Sequence, residues 1–237
     1  MERGGTCYGS GEPAPLSEKE LVAMSVTLLC TSPEHPVVPY LVDLIARSGV
    51  PITLVHNVEE LSGGDFLFLV SCSDFITAEM RARYSHCLVL HASDLPYGRG
   101  WSPHIWQIIE GATSLTVSLL EAADKIDTGR IWHKMTVPID KLALYDEVNH
   151  QLFLTEIALI EHAIAHVDTI IPQEQSLDNL SESRYFNKRL PDDSELDINQ
   201  SIKAQFNKMR VADNERFPSF FVIDGQKFYV KIEKSKS

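Results

Sequence analysis

The sequence is poor in cysteine and has no long apolar run. It contains four cysteines, none of them in a Cys-x-x-Cys pair (Cys7, Cys30, Cys72 and Cys87), so neither a disulfide framework nor a cysteine-based zinc site is expected. Its longest apolar runs are like Phe66–Val70, well short of the ~18 residues that cross a bilayer. These absences argue against a membrane protein and favour a reducing, cytoplasmic environment.

Basic side chains are also scarce. Lysine and arginine total 21 against 33 aspartates and glutamates, a formal net charge of −12. This balance argues against a general nucleic-acid binder, because phosphate contacts need clustered cations. Hydrophobic residues make up 44% of the 237 positions, which is enough for a core. At roughly 150 residues per domain, the length predicts one domain and a small appendage.

Residues 1–23 differ from the rest of the chain. They are rich in glycine and proline and show little apolar periodicity. They have neither the basic start nor the continuous apolar centre of a signal peptide. We therefore expect a flexible tail before an ordered chain that starts at residue 24.

From Ser25 onward, short apolar runs alternate with helical patterns. Strands are expected at residues 26–30, 51–55, 66–70 and 87–90, and helices at residues 36–48 and 77–83. Such alternation predicts a Rossmann-like, mostly parallel sheet with both faces covered, an α/β fold. No Gly-x-Gly-x-x-Gly motif follows any of these strands, so a nicotinamide or flavin dinucleotide is not expected.

The next segment is expected to complete a catalytic domain over residues 24–172. Ser102 and Pro103 are expected to open a helix as N-cap and first helical residue. Two further strands are expected at residues 114–120 and 129–136. A long helix follows at residues 145–167, and its spacing places four apolar residues on one face (Phe153, Ile157, Ile160 and Ile164).

Residues 173–237 are expected to form a small α+β appendage after a polar linker. A helix is expected near residues 201–210. Two strands rich in aromatic residues then flank Asp224-Gly225, a dipeptide that is preferred in tight hairpin turns.

Two polar positions that follow buried strands are candidates for chemistry. His91 comes after the strand at residues 87–90 and before a loop rich in glycine, proline and serine. Ligand sites in open parallel sheets lie beyond the carboxyl ends of the strands. Asp127 lies in a turn after another buried strand and could orient His91 or move a proton. The alternatives are that His91 only binds loop backbone and that Asp127 only satisfies its own turn.

The segment HASDLPYGRGWSPHIWQIIEG, which starts at His91, resembles a signature of formyltransferases that use 10-formyltetrahydrofolate. A second signature of that family is similar to Asp127-Thr128-Gly129-Arg130-Ile131, which begins 36 residues after His91 and has one residue inserted before the isoleucine. The stretches RLPDDSELD and QFNKMRVADNERFPSFFVIDGQKFYV resemble the C-terminal appendage of enzymes that formylate amino sugars on nucleotide carriers. The resemblance covers nearly all of residues 25–233 and extends to formyltransferases of the pseudaminic-acid pathway.

The resemblance implies a mechanism in which a neutral sugar amine attacks the formyl carbon of the folate. His91 would be the oxyanion donor and proton-transfer partner, and Asp127 the carboxylate that helps to move the proton. The family has an asparagine two residues before the histidine as a further oxyanion donor. This chain has Val89 there, and valine has no side-chain donor.

Two accounts of the missing asparagine stay open. Either another donor has replaced it, with Ser93, Ser73 or a backbone N–H near Cys72 as candidates, or transfer activity has been lost. Loss of one oxyanion donor typically costs on the order of a hundred- to a thousandfold in rate.

The family binds its pterin against the backbone of two loops. The corresponding positions are Ser71, Cys72, Ser73, Asp74, Phe75 and Ile76 in the first loop, and Leu120, Glu121, Ala122, Ala123 and Asp124 in the second. Acceptor contacts are expected from Tyr97, Arg99 and Trp101. Cys72 is expected to be a small buried residue, because formyl transfer needs no covalent intermediate.

Together these features predict transfer of a formyl group from 10-formyltetrahydrofolate to the amine of a nucleotide-linked amino sugar, for surface glycan synthesis in a bacterial cytoplasm. Methionyl-tRNA formyltransferase is similar in motif, but residues 173–237 here hold 11 basic and 11 acidic residues, a poor surface for RNA. Formylation of another amine, such as a carrier-bound aminoacyl group, and a folate- or sugar-binding role without transfer remain alternatives. No metal is expected, not even at His162 and His166 on the long helix, and the exposed hairpin could support a homodimer.

Overall fold

The structure is a computed structural model that describes residues 24–176 and 184–235. The tail expected at residues 1–23 and part of the expected linker lie outside the described residues. The strands are β1 (Val26–Leu29), β2 (Ile52–Val55), β3 (Gly64–Leu69), β4 (Tyr84–His91), β5 (Arg99–Gly100), β6 (Ser114–Glu121), β7 (Ile131–Pro138), β8 (Tyr185–Phe186), β9 (Ser219–Ile223) and β10 (Gln226–Val230). The α-helices are α1 (Val38–Arg47), α2 (Ala78–Arg81), α3 (Pro103–Ile109), α4 (Tyr145–Ala165) and α5 (Ile202–Arg210), with short 3-10 turns at Val58–Glu60 and Pro191–Ser194.

Six strands form one sheet in the order β2-β1-β3-β4-β6-β7. The first four are parallel to one another, whereas β6 runs antiparallel to β4 and β7 antiparallel to β6. The link between β6 and β7 contains no helix, and a short link without a crossover returns the chain antiparallel. The predicted Rossmann-like, mostly parallel α/β fold is confirmed.

Both faces of the sheet are covered, as the continuous apolar strands predict. On one face, Leu88 and Leu90 of β4 pack with residues of α1 and α4 such as Leu41 and Phe153. On the other face, a smaller cluster is built around β3 and the loop that follows it, and Val89 packs against it. Alternate residues of β4 therefore belong to different faces of the sheet.

The helix α4 follows the predicted spacing. Its four apolar residues Phe153, Ile157, Ile160 and Ile164 are all buried. No helix in residues 24–176 and 184–235, α4 included, is long and apolar enough to cross a membrane.

The start of α3 follows the expectation in its position. Ser102 stands at the N-cap, but its backbone is left-handed (φ 44°) and its side chain makes no capping hydrogen bond. Pro103 does open the helix, where its missing N–H leaves no hydrogen bond unmade.

The C-terminal segment packs against the loop that follows β4. Strand β8 pairs in parallel with β5, and the rings of Trp106 and Phe186 stack with 6.4 Å between their centroids. The hairpin of β9 and β10 has the predicted turn, since Asp224 and Gly225 have positive φ angles of 50° and 79°, as a tight hairpin turn requires.

Candidate active site

A cavity of about 520 Å³ opens at the carboxyl ends of β3 and β4. Its wall combines the loop after β3, the end of β4, the loop between β6 and β7, the start of α3, one side of α4 and the C-terminal segment. Val89 and Ile76 line it from one face of the sheet, and Leu152 and Phe153 line it from the other. The cavity therefore extends over the carboxyl edge of the sheet, where open α/β folds bind their ligands.

Two chambers of this cavity can be named by their residues. The β3-side chamber is lined by Ser71, Cys72, Ser73, Ile76, Val89 and Ala122. The α4-side chamber is lined by His35, His104, Asn149, Phe153, Glu156 and Arg189. His91 and Asp127 also line the cavity, and His91 lies at the carboxyl end of β4.

His91 and Asp127 form a buried pair. Nδ1 of His91 lies 3.5 Å from Oδ1 of Asp127, and the two side chains are 8% and 7% exposed. Nε2 of His91 lies 3.0 Å from the carbonyl oxygen of Gly98. Because a carbonyl oxygen can only accept, Nε2 carries a proton and Nδ1 faces the carboxylate. With the proton on Nε2, Nδ1 and the Asp127 carboxylate face each other as two acceptors, so the pair offers a place for one proton at the cavity wall.

Asp127 is held in place by backbone and by a residue that the sequence did not point to. The Gly100 N–H donates to Oδ2 of Asp127 at 2.9 Å. Nε2 of Gln175 donates to the carbonyl oxygens of Asp127 and Gly129 at 3.0 and 2.8 Å. The backbone of Asp127 is left-handed, with φ 57°. Gln175 lies 48 positions away in the chain, and no local pattern indicates such a contact.

The turn that carries Asp127 approaches β6 closely. A Cβ atom on Gly129 would lie 1.9 Å from the carbonyl oxygen of Glu121, so only glycine fits. Arg130 binds the Glu121 carboxylate through two hydrogen bonds of 2.7 Å, and Nε1 of Trp132 donates to the same group at 3.2 Å. The turn therefore contacts the end of β6 through Gly129 and through the two residues, Arg130 and Trp132, that bind the Glu121 carboxylate.

Val89 lines the cavity two residues before His91. Of the suggested replacement donors, Ser73 lines the cavity, and its hydroxyl lies 3.1 Å from that of Thr31. Ser93 is only 1% exposed and its Oγ has no hydrogen-bond partner among the described residues. It does not border the cavity, because its side chain lies beneath Gly98. A donor role for Ser93 has no support from this placement.

Most residues expected to contact the folate border the β3-side chamber or its mouth. Ser71, Cys72, Ser73, Phe75, Ile76, Glu121 and Ala122 all line the cavity. Leu120 is fully buried inside the sheet and Asp124 forms an ion pair with Arg81, and neither lines the cavity. Burial raises the pKa of the Cys72 thiol to about 11, so this cysteine is not a thiolate nucleophile at neutral pH.

Arg81 joins the two loops that carry these residues. Its guanidinium donates to the carbonyl oxygen of Ile76 at 2.7 Å and pairs with Asp124 of the other loop. The sequence places this arginine at the end of α2, but nothing in its local pattern links it to a loop 43 residues away.

Of the three residues expected to contact the acceptor, one lines the cavity and two do not. Trp101 lines the cavity. Tyr97 is 45% exposed and Arg99 belongs to β5, which pairs with β8. Neither of these two residues lines the cavity.

A polar stripe on α4 lines the α4-side chamber and was not predicted. Tyr145, Asn149 and Glu156 are spaced four and seven residues apart, which puts them on one face of the helix. Glu156 is 5% exposed and its Oε2 has no hydrogen-bond partner in the described chain. Burial raises the pKa of Glu156 to about 8. The polar spacing is visible in the sequence, but the stronger apolar spacing of the same helix hides it.

Two histidines complete the polar wall of this chamber. Burial, followed by the charges of His35 and His91, lowers the pKa of His104 to about 3. Burial, followed by the charge of Arg216, lowers the pKa of His35 to about 4. Both imidazoles are therefore neutral at physiological pH, and each offers one N–H donor and one acceptor.

His162 and His166 lie away from the cavity in a stack of rings. The centroid of His162 is 4.1 Å from that of His133 and 4.4 Å from that of His166. Across residues 24–176 and 184–235, no group of three histidine, cysteine or acidic side chains is arranged to hold a metal ion.

The fold is α/β, and the cavity with its buried His91–Asp127 pair is the candidate site. Residues 25–164 match the family model described as formyl transferase. This match covers more than half of the chain, which therefore belongs to the formyl transferase family, and the resemblance seen in the sequence is confirmed.

Among curated proteins, the chain is similar to the methionyl-tRNA formyltransferase of Rickettsia typhi, with 28% identity over 131 residues that cover 55% of this chain and 42% of the relative. Five Rickettsia methionyl-tRNA formyltransferases are matched over 42% to 54% of their length. The chain thus spans about half the length of the curated relatives it matches.

Three solved structures share the fold at lower identity. The methionyl-tRNA formyltransferase of Clostridium thermocellum is 20% identical with a TM-score of 0.75, over 90% of this chain and 94% of that one. A sugar N-formyltransferase from a Shewanella species is 16% identical with a TM-score of 0.67, over 90% and 99% of the two chains. HypX from Aquifex aeolicus in complex with tetrahydrofolic acid is 18% identical with a TM-score of 0.73, over 88% and 37%.

Proposed function

We propose that this protein transfers a formyl group from 10-formyltetrahydrofolate to the amine of a nucleotide-linked amino sugar. The observation that carries the proposal is the buried His91–Asp127 pair at the wall of a cavity that extends over the carboxyl edge of the sheet. Membership of the formyl transferase family supports the same reaction class.

The β3-side chamber fits a reduced folate. Its walls are apolar at Val89, Leu69 and Ile76, and the loops at residues 71–76 and 121–123 border it. A flat pterin edge pairs well with backbone donors and acceptors. Phe75 is 60% exposed at the mouth, where its ring could contact the aromatic part of the folate. When bound, the folate supplies the formyl group on N10.

His91 and Asp127 would handle the protons and the developing charge. As the amine adds to the formyl carbon, negative charge grows on the formyl oxygen, and the positive charge of His91 would stabilise it once the pair has taken up a proton. The attacking nitrogen must lose a proton, and the His91–Asp127 pair would take it. The buried position of both side chains strengthens these interactions because it excludes water.

A sugar acceptor is favoured over tRNA by the C-terminal segment. Residues 173–237 carry 11 basic and 11 acidic side chains, and an RNA surface needs clustered cations. The solved structures do not discriminate between the two acceptors, because a sugar N-formyltransferase and a methionyl-tRNA formyltransferase are both matched over nearly all of their chains. The curated relatives, in contrast, are methionyl-tRNA formyltransferases, so methionyl-tRNA belongs in the test.

The test is a screen of acceptors by mass. Purified protein is incubated with 10-formyltetrahydrofolate and, separately, with UDP- and TDP-linked 4-amino sugars, the free amino sugars and methionyl-tRNA. We expect a gain of one formyl mass on a nucleotide-linked sugar. Formylation of methionyl-tRNA alone would refute the sugar acceptor. No formylation of any amine by protein that binds 5-formyltetrahydrofolate in calorimetry would refute transfer.

The valine at position 89 favours a second candidate function, that of a folate- or sugar-binding protein without transfer activity. A valine at the cavity wall offers no donor to a formyl oxygen. This candidate predicts that the protein binds 5-formyltetrahydrofolate and that no amine in the screen gains a formyl group.

A further inference from the structure

The α4-side chamber contains cations that the proposed chemistry of His91 and Asp127 does not use. Lys188 and Arg189 follow β8 in the C-terminal segment and both line the cavity. Lys188 is exposed and stands at the mouth, whereas Arg189 is 7% exposed and lies inside. Trp101 and Phe217 line the cavity beside them.

Arg189 is a buried cation without a carboxylate partner. One of its terminal nitrogens donates to the hydroxyl of Ser194 at 2.8 Å, and its Nε has no partner in the described part of the chain. Its guanidinium lies 5.6 Å from the centroid of the Phe217 ring. Burial lowers the pKa of Arg189, and the charges of Asp193 and Asp213 oppose this shift from beyond ion-pair distance. A buried charge without a counter-ion in direct contact is costly, and an anion that enters the cavity would offset this cost.

Lys188, an exposed cation at the mouth of the cavity, also has no carboxylate in direct contact among the described residues. Its ammonium lies 4.9 Å from the centroid of the Trp101 ring, and within residues 24–176 and 184–235 no carboxylate lies within ion-pair distance of it. Arg216, a third cation that lines the cavity, differs because Asp213 binds its Nε at 2.6 Å. Two of the three cations of this wall are therefore available to an anion.

We propose that Lys188 and Arg189 bind the diphosphate of the acceptor. This inference rests on the proposed function and adds the part of the site that recognises the nucleotide-linked group. A planar guanidinium and a neighbouring ammonium match phosphate oxygens, the first through paired N–H donors and the second as a point charge. The proposal also gives the C-terminal segment a role, because both cations come from it and not from residues 25–164.

The experiment measures anion binding without any turnover. Inorganic pyrophosphate, UDP and uridine are titrated calorimetrically into the full chain. We expect pyrophosphate and UDP to bind and uridine to bind at least about tenfold more weakly. K188A and R189Q are each expected to weaken pyrophosphate and UDP about tenfold. No binding of pyrophosphate or UDP to the wild-type protein, or binding to both variants as tight as to wild type, would overturn the proposal.

Matched variants separate loss of the site from loss of the fold. K203A removes an exposed lysine of α5 that does not border the cavity and should leave UDP affinity unchanged. R189K keeps the charge but not the planar fork, and it should bind UDP with an affinity between those of wild type and R189Q. K188A changes an exposed side chain and so keeps the test independent of the buried one. A K203A variant that loses UDP as strongly as K188A would show a general charge effect and overturn the site.

Kinetics distinguish failure of this inference from failure of the proposed function. If the protein formylates a nucleotide-linked sugar, K188A and R189Q should raise the KM for that sugar about tenfold and change kcat little. Formylation with an unchanged KM in both variants would refute the diphosphate site and leave the function standing. Binding of UDP that depends on Lys188 and Arg189, with no formylation of any acceptor, would support the site and refute the function.

Discussion

Glu156 gives the structure a distinct dependence of stability on pH. Its carboxyl group is 5% exposed, its Oε2 has no hydrogen-bond partner in the described chain, and burial raises its pKa from the ordinary 4.5 to about 8. At about 1.4 kcal/mol per pKa unit, this difference corresponds to a ceiling of about 5 kcal/mol between the neutral and the charged folded forms. The folded state therefore holds the carboxyl proton at pH values at which the unfolded chain has released it.

The sign of the effect follows from proton linkage. Because the pKa is raised on folding, the stabilising contribution of neutral Glu156 is fully present below pH 4.5 and is lost as the pH rises to about 8. E156Q replaces the group by an uncharged one of similar shape and removes this loss. We therefore expect the free energy of unfolding of E156Q, relative to wild type, to increase between pH 4.5 and pH 8, by up to about 5 kcal/mol.

Urea unfolding followed by circular dichroism at a series of pH values measures this difference. E161Q is the matched control, since Glu161 lies on the same helix but is 44% exposed and pairs with Arg47. It should leave the pH dependence of wild type nearly unchanged. If wild type and E156Q lose or gain stability in parallel across this pH range, Glu156 is charged in the folded protein and the reasoning from its burial is wrong.

Three further variants test the surroundings of Asp127 and the missing asparagine. G129A should destabilise the fold by at least about 1–3 kcal/mol, because its Cβ would lie 1.9 Å from the Glu121 carbonyl oxygen; urea unfolding equal to wild type would contradict this close approach. Q175A leaves the buried carbonyls of Asp127 and Gly129 without their donor and should lower kcat about tenfold with little change in KM. An unchanged kcat in a folded Q175A protein would show that Gln175 does not position Asp127. V89N should be tolerated or raise the rate of formyl transfer by adding an oxyanion donor of the kind whose loss costs about a hundredfold or more, and complete unfolding would instead identify Val89 as a packing residue of β4.

The elements that local pattern determines could be predicted from the sequence. The strand β1 and the second half of β3 are short apolar runs buried on both faces, and α4 repeats its apolar residues at helical spacing. The turn at Asp224-Gly225 needs positive φ at both residues, which the residue types themselves indicate. Ser102 was placed correctly at the N-cap of α3, but its left-handed backbone and the lack of a capping hydrogen bond have no local signal in the sequence.

In the candidate site, too, some residues could be predicted from local pattern and others depend on long-range contacts. His91 and Asp127 could be found because each follows a buried strand, and their meeting follows from the place of those strands in one sheet. Gln175, Arg81 and Arg189 come from segments far away in the chain. Only the folded structure brings Gln175 to the backbone of Asp127, Arg81 to the two loops that it joins, and Arg189 to the cavity wall.

The most direct test of the central claim is the rate of formyl transfer to the nucleotide-linked amino sugar by wild type, H91A and D127A. The single-turnover rate is followed by mass, with circular dichroism to verify that each variant is folded. Because His91 and Asp127 form the proton-holding pair of the cavity, each substitution should lower the rate at least about a hundredfold. A rate close to that of wild type in either folded variant would contradict the claim that this pair carries the reaction.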